Sequence, residues 1–239
     1  MKYPELSIIM PAYNEGRVIC DNLLEVDKVI GKDISDFEIV VVDDGSTDNT
    51  YEQAAQAAAG HGRIRLVRLN RNCGKGEAFK AGFSASSGAF VALLDADLDL
   101  PPGQLVPMLC RLKNENADII IGSKYHPDAR ISYPFTRKLM SRCYALLNRT
   151  LFGLSLSDTQ SGIKIFKREV LDAVLPLVKT SGYAFDIEIL TTAFEKNALI
   201  MEHPVVLEYR SKKHSPMPLK MAKDLLADTL RVWYSRKIN

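Results

Sequence analysis

The chain has 239 residues, 46% of them hydrophobic and 25% charged, which are ordinary globular values and enough length to bury one sizeable core. The formal charge of +2 hides an asymmetry: residues 1–100 carry 10 Lys/Arg against 16 Asp/Glu, whereas residues 209–239 carry 8 against 2. The four cysteines (Cys20, Cys73, Cys110, Cys143) and four histidines lack ligand or paired spacing, and neither a leader nor about 18 consecutive apolar residues is found, so a reduced, cytoplasmic chain without zinc, disulfides or membrane span is expected.

Short β-branched runs alternate with helical patterns along the first half. Strands are predicted at Leu6-Ser-Ile-Ile-Met10, Glu38-Ile-Val-Val-Val42, Ile64-Arg-Leu-Val-Arg-Leu69, Phe90-Val-Ala-Leu-Leu94 and Asp118-Ile-Ile-Ile-Gly122, with helices near 15–30, 48–60, 75–87 and 103–115, the second stopping at Gly60 and the third at Gly88. Apolar strands separated by helices imply an α/β fold, a mostly parallel central sheet flanked by helices. The second half is less regular: a long helix at about 133–152, a loop and short strand at 158–167, helices near 168–179 and 184–197, and a last strand Val205-Val-Leu-Glu-Tyr209. A basic turn, Arg210-Ser-Lys-Lys-His-Ser-Pro216, leads to an amphipathic helix at 218–236, with Leu219, Ala222, Leu226, Leu230 and Trp233 on one stripe. Residues 1–215 thus read as one catalytic domain and 216–239 as a basic helix, packed on the domain or lying on a membrane surface.

Ligands of such sheets gather at the carboxyl ends of strands. Four strand ends there are polar: Met10-Pro11-Ala12-Tyr13-Asn14-Glu15, Asp43-Asp44-Gly45-Ser46, residues 70–76 and Asp95-Ala96-Asp97-Leu98-Asp99. Asp95 and Asp97 end an apolar strand, and two such acids can ligate a hard divalent cation that holds a diphosphate. Asp99 continues the alternation, so three carboxylates are expected to converge, although an isolated Asp-x-Asp is more often a solvated turn. Asp43-Asp44 precedes a Ser-Thr-Asp turn that would cap the next helix. An acid at that strand tip can also accept the N–H donors of a nucleobase. Asn72-Cys73-Gly74-Lys75-Gly76 opens a helix and suits an anion through backbone N–H groups and one ammonium, but lacks the spacing of a Walker A loop.

In this order, Pro-Ala-Tyr-Asn-Glu, Val-Val-Val-Asp-Asp-Gly-Ser-Thr-Asp, Asn-Cys-Gly-Lys-Gly and Asp-Ala-Asp resemble the family 2 glycosyltransferases of the GT-A fold. Asp158-Thr-Gln-Ser-Gly162-Ile-Lys164-Ile-Phe166, Ala184-Phe-Asp186-Ile-Glu188-Ile-Leu190 and the basic tail are similar to the polyprenyl-phosphate hexose synthases, more to the dolichyl-phosphate glucose than mannose branch. The resemblance implies a UDP- or GDP-linked sugar donor held by Pro11, Ala12, Tyr13, Glu15 and Asp44 with Lys75 nearby, Asp95 on ribose or metal, Asp97 as main metal ligand and Asp99 where mannose synthases often have Gln. It implies Mg2+ or Mn2+, inversion, and a polyprenyl phosphate acceptor met by Lys124 and Arg137, with Arg142 near. Lys124 stands where the family often has Arg, so phosphate binding there would be looser or shared with Arg137.

Asp186 and Glu188 read as orienting groups for the donor sugar, as a base if the acceptor is a hydroxyl, or as helix caps. Gln160 would contact the sugar or brace its loop. The resemblance places the enzyme peripherally at the cytoplasmic face of a membrane, on lipid or a membrane subunit, with no nucleic-acid partner. The alternatives are transfer to a saccharide hydroxyl in polysaccharide or glycan assembly, an aspartyl phosphotransferase with Asp95 as nucleophile, and an inactive binding subunit.

Overall fold

The computed structural model of the protein describes residues 4–130, 135–182, 184–207 and 219–238, with the backbone alone at 135–141, 219–222 and 238. In chain order the strands and α-helices are β1 (Leu6–Ala12), α1 (Ile19–Ile30), β2 (Phe37–Asp43), α2 (Thr50–Ala59), β3 (Ile64–Arg68), α3 (Lys75–Ala85), β4 (Phe90–Leu94), α4 (Leu105–Asn114), β5 (Ile119–Ser123), α5 (Phe135–Phe152), β6 (Ile163–Lys167), α6 (Arg168–Val174), α7 (Phe185–Glu195), β7 (Ile200–Pro204) and α8 (Leu219–Ile238). The strands form one sheet in the order β3-β2-β1-β4-β6-β5-β7. All neighbours pair in parallel except β6, which runs antiparallel to both β4 and β5.

Alternation along the strands explains why both faces are covered. Ile8, Met10, Ile39, Val41, Ala92 and Leu94 enter the core beneath α1, α2 and α4, whereas Ile9, Val40, Val42, Val91, Leu93 and Phe166 enter the one beneath α3, α6 and α7. The chain reverses its direction of travel across the sheet between β1 and β4, and such a switch point opens a crevice at the strand carboxyl ends. Because β6 is antiparallel, its amino end meets the carboxyl end of β4, Ile163 pairing with Leu94. That reversal brings the loop before β6 to the crevice.

Several boundaries differ from the sequence expectation. The last strand is Ile200–Pro204 instead of Val205–Tyr209; among the described residues of the expected run, Val206 makes only an isolated bridge to Arg130. This strand lies at the sheet edge, where Glu202 and His203 are tolerated half-buried, so its apolar pattern is weak. The helix expected over 168–179 stops at Val174 and continues as a 3-10 turn, Leu175–Leu177, around Pro176. The third helix stops at Ala85, before Gly88, whose close approach serves Ser7: a Cβ there would sit 2.6 Å from the Ser7 nitrogen. The basic turn 210–216 lies outside the described residues.

The amphipathic stripe of α8 also divides differently. Leu225, Thr229 and Val232 face inward, with Tyr144 on α5 hydrogen-bonded to Thr229 at 2.9 Å and Arg236 reaching Thr192, Glu195 and the Glu188 carbonyl on α7. Leu226 and Leu230, on the stripe that read as packed on the domain or lying on a membrane surface, are 43% and 49% exposed, as is Tyr234 at 63%. Neighbouring stripes one residue apart are equally periodic, so hydrophobicity alone does not say which faces the core. No helix among the described residues is long and apolar enough to cross a membrane.

Candidate active site

A cleft of about 700 Å3 opens at the switch point, lined by Pro11, Ala12, Tyr13 and Glu15 from the end of β1, Asp44 after β2, the 72–75 loop, Asp95 to Asp97 after β4, Gln160 before β6, and Gly182 and Asp186 around the start of α7. Of the expected donor residues, Pro11, Ala12, Tyr13, Glu15, Asp44, Lys75, Asp95, Asp97, Gln160 and Asp186 are thus brought to one concavity. Asn72, Cys73 and Gly74 of the glycine-flanked lysine loop line it too, and Gly182 joins them without a sequence signal.

The β1 and β2 ends are locked together. Asn14, at φ +57, accepts the Thr47 N–H at 2.9 Å, its own N–H donates to Ser46, and Asp48 accepts the N–H groups of Gly16 and Thr50 at 3.1 and 3.0 Å. The N-cap of α2 is Asn49, without a side-chain cap bond, so the cap expected from the 46–48 turn is not made; Asp48 instead ties the first residue of the helix to the end of β1. Asp44 does something the sequence did not suggest. Its two carboxylate oxygens accept the Cys73 and Gly74 N–H groups, each at 2.8 Å, and the residue is 3% exposed. It shapes the 72–76 loop from below.

That bonding corrects the anion-loop expectation. The Cys73 and Gly74 amides are taken by Asp44 and the Gly76 amide by the Ser181 carbonyl at 3.0 Å, so the anion contact of this loop falls to the Lys75 ammonium. The glycines are required by proximity: a Cβ on Gly74, at φ +93, would lie 2.5 Å from the Ser181 oxygen, and one on Gly76 2.7 Å from the Phe185 ring. Phe185 in turn packs on Phe79 with ring centroids 5.6 Å apart, which seats the first turn of α7 against α3.

Lys75 is the electrostatic hub. Its Nζ lies 2.7 Å from Asp95 Oδ1 and 3.9 Å from Asp186 Oδ2. Burial alone would lower its pKa, but the charges of Asp186 and Asp95 outweigh burial and hold the ammonium above the ordinary lysine range. Asp95 is held below the usual carboxylate range: burial opposes this, and Lys75 prevails. Its N–H donates to the Gly162 carbonyl at 2.9 Å, and a Cβ on Gly162 would stand 2.1 Å from Asp95 Oδ2.

Asp97 behaves oppositely. Burial first, then repulsion from Asp95 and Asp99, pushes its carboxyl up to about 6, with Glu15 adding to the effect. Such a concentration of negative charge on hard oxygen donors is what a divalent cation neutralises, so Asp95 and Asp97 fit one. The expected third carboxylate does not converge with them: Asp99 is not among the cleft residues, and among the described residues no three acids, histidines or cysteines are grouped at metal-binding distances. The strand ends at Leu94 and Leu98 takes φ +52 to bury its side chain, so the alternation that would align Asp99 is lost.

Asp186 and Glu188 separate. Glu188 accepts the Lys179 and Thr180 N–H groups at 3.1 and 2.7 Å and holds the loop over Gly74, away from the chemistry. Asp186 does not cap α7, whose N-cap is Ala184; its Oδ1 accepts a 2.6 Å bond from Lys164, a lysine with no exposed surface. Lys164 had no assigned role, yet a signal existed: a lone lysine inside the apolar run Ile163-Lys-Ile-Phe166.

Of the residues expected to meet the acceptor, Lys124 lies just beyond β5, outside the cleft lining. Its Nζ is 3.5 Å from Asp158 Oδ2, whose loop is braced by Glu202 accepting the Ser157 and Asp158 N–H groups at 2.8 and 3.2 Å. Arg137 lies on α5, its side chain outside the described residues, and Arg142 is exposed on the same helix.

Comparison with known proteins places these features. The chain is 32% identical to the dolichyl-phosphate beta-glucosyltransferase of Saccharomyces cerevisiae, over 92% of this chain and 73% of that one. It is 30% identical to the enzyme of the same name from Dictyostelium discoideum, over 92% and 72%. With the glycosyltransferase AglD of Haloferax volcanii it shares 31% identity over 96% of its own length, spanning 37% of that longer protein. The fold is similar to glucosyl-3-phosphoglycerate synthase from Mycobacterium tuberculosis in complex with Mg2+ and uridine diphosphate, at TM-score 0.74 and 22% identity over 98% of this chain and 79% of that one. It is the GT-A fold. The model of glycosyl transferase family 2 matches residues 7–175, more than half of the chain, and the protein is a glycosyltransferase belonging to that family.

Proposed function

We propose that the protein is an inverting hexosyltransferase that moves one hexose from a nucleotide sugar to a polyprenyl phosphate of the dolichyl type, with Mg2+ or Mn2+ on the donor diphosphate. The observation that carries this reading is the 30–32% identity to two dolichyl-phosphate beta-glucosyltransferases over 92% of the chain, which also favours UDP-glucose over GDP-mannose. The crystallised complexes of the M. tuberculosis enzyme with Mn2+ and UDP-glucose support the cation and the donor class.

The residues divide the work by charge. Lys75, fixed by Asp95, offers an ammonium at the start of α3 where the leaving diphosphate gathers negative charge. When bound, the cation would be held by Asp95 and Asp97 and would stabilise the departing nucleoside diphosphate as a Lewis acid. Tyr13, 43% exposed at the lip, offers its ring to the nucleobase. A phosphate acceptor arrives anionic, so no side chain must deprotonate it; Lys124 and the basic α5 then draw it toward a second anion.

The exposed Leu226, Leu230 and Tyr234 of α8, with Lys223, Arg231 and Lys237 also exposed or half-exposed, support attachment to the cytoplasmic face of an anionic membrane, where a lipid acceptor is met. A panel of UDP-glucose, UDP-GlcNAc and GDP-mannose, assayed for transfer to dolichyl or undecaprenyl phosphate, tests the reading. Metal-dependent glucosyl transfer to the lipid is expected. Transfer to saccharide hydroxyls alone would reject the acceptor.

A further inference from the structure

Lys164 is a buried charge that the reaction above leaves without work. It sits in the middle of β6, paired across the sheet with Leu93 and Ile121, and none of its surface is exposed. Burying an ammonium is costly unless it is paired and hydrogen-bonded. Here it donates to the Ser161 carbonyl at 2.5 Å and to Asp186 Oδ1 at 2.6 Å. The remaining oxygen of Asp186, Oδ2, lies 3.9 Å from Lys75 Nζ, and both residues line the cleft. Lys75 is nearer to Asp95, at 2.7 Å. The four charges form one alternating row, Lys164–Asp186–Lys75–Asp95, drawn from β6, α7, α3 and the end of β4.

Each neighbour restricts Asp186. Phe185 before it is buried against Phe79, and Lys164 takes the inner oxygen, leaving the outer one directed to the cleft. Without Lys164, Asp186 would be a buried carboxylate whose inner oxygen has lost its donor and whose orientation is no longer held. We propose that Lys164 is a positioning residue: it grips Asp186 from behind so that Oδ2 is presented to a hydroxyl of the transferred sugar. The inference rests on the nucleotide-sugar reading of the cleft. It adds that recognition of the sugar is separable from recognition of the nucleotide, and that a residue with no access to substrate controls it.

Affinities for UDP and for UDP-glucose, measured with Mg2+ by titration calorimetry, separate the two parts. Lys164→Met and Asp186→Asn are each expected to weaken UDP-glucose by about tenfold, the loss of one charged hydrogen bond, with UDP changed less than about twofold. The double variant Lys164→Met/Asp186→Asn removes both charges, so it regains thermal stability where Lys164→Met alone lowers it. In the double variant UDP-glucose affinity stays at the Asp186→Asn level, because Lys164 acts through Asp186. A double variant with wild-type UDP-glucose affinity would show that the pair merely neutralises itself and would overturn the proposal, as would a Lys164→Met protein that binds both ligands normally. If Lys164→Met does not fold, the comparison of the double variant with Asp186→Asn still decides: a further tenfold loss overturns it. Wild-type protein that binds UDP-glucose but transfers no hexose to lipid phosphate refutes the acceptor and leaves this inference standing. Wild-type protein that binds no nucleotide sugar refutes both.

Discussion

The two halves of the catalytic edge are built differently. On the donor side, the ends of β1, β2 and β4 and the start of α3 are tied by short bonds through Asp44, Asp48, Gly162 and Lys75, so the cleft is held by the protein's own contacts. On the acceptor side, Lys124 has a 3.5 Å contact to Asp158, Arg142 is exposed, and α8 offers an outward apolar stripe. A diphosphate with a metal needs positioned charges, because transition-state stabilisation depends on preorganisation. The lipid phosphate proposed as acceptor would need a basic approach, because its affinity would be shared with the bilayer. Rigid donor recognition and open acceptor recognition can therefore be tested by how strongly single changes act on each side.

The largest effect is expected at Asp97. Asp97→Ala should cut turnover by about 10³-fold or more with little change in melting temperature, and activity that survives with chelator present would show the acid is not a metal ligand. Next is Gly162→Ala, whose added carbon must displace the Asp95 carboxylate it would overlap; a loss in kcat of about 100-fold is expected, with the folded spectrum kept. Asp44→Ala leaves the Cys73 and Gly74 amides without their acceptor, so nucleotide affinity should fall about tenfold and stability with it. A nucleotide affinity equal to wild type would break the claim that this side is prebuilt.

Smaller effects are expected across the divide. Lys124→Ala and Arg137→Ala should raise the acceptor KM about fivefold and leave the donor KM unchanged, since each removes one of several cations that would draw the phosphate in. The opposite ratio would assign both residues to the donor. The least intrusive change is Leu226→Ser with Leu230→Ser: stability should move by no more than about 0.5 kcal/mol per site, while flotation with anionic liposomes falls. Equal flotation of wild type and variant would remove α8 from membrane attachment. Truncating the helix is a poorer experiment, because Thr229 and Arg236 bind α5 and α7.

Much of the donor side was legible because it is local. The strand ends follow apolar runs directly, so Pro11 to Glu15, Asp44, Lys75, Asp95 and Asp97 could be placed on one edge by counting strands, and family resemblance supplied their chemistry. What was missed involved alternation carried too far, as at Asp99; in α8 apolar periodicity with two solutions left the packed face open. The edge strand Ile200–Pro204 escaped because a strand exposed at the sheet margin need not be apolar.

The sequence by itself determined which residue types stand at each strand end, and with them the expectation of a site for metal, diphosphate and nucleotide sugar, because neighbours along a strand keep their order whatever the rest of the chain does. Only the tertiary structure decided how each acid is used. Asp44 turns to two amides, Glu188 to a loop and Asp186 to a buried lysine 22 residues away. A carboxylate's role is set by which donors reach each of its oxygens, and those donors come from elements that meet only when the sheet has formed.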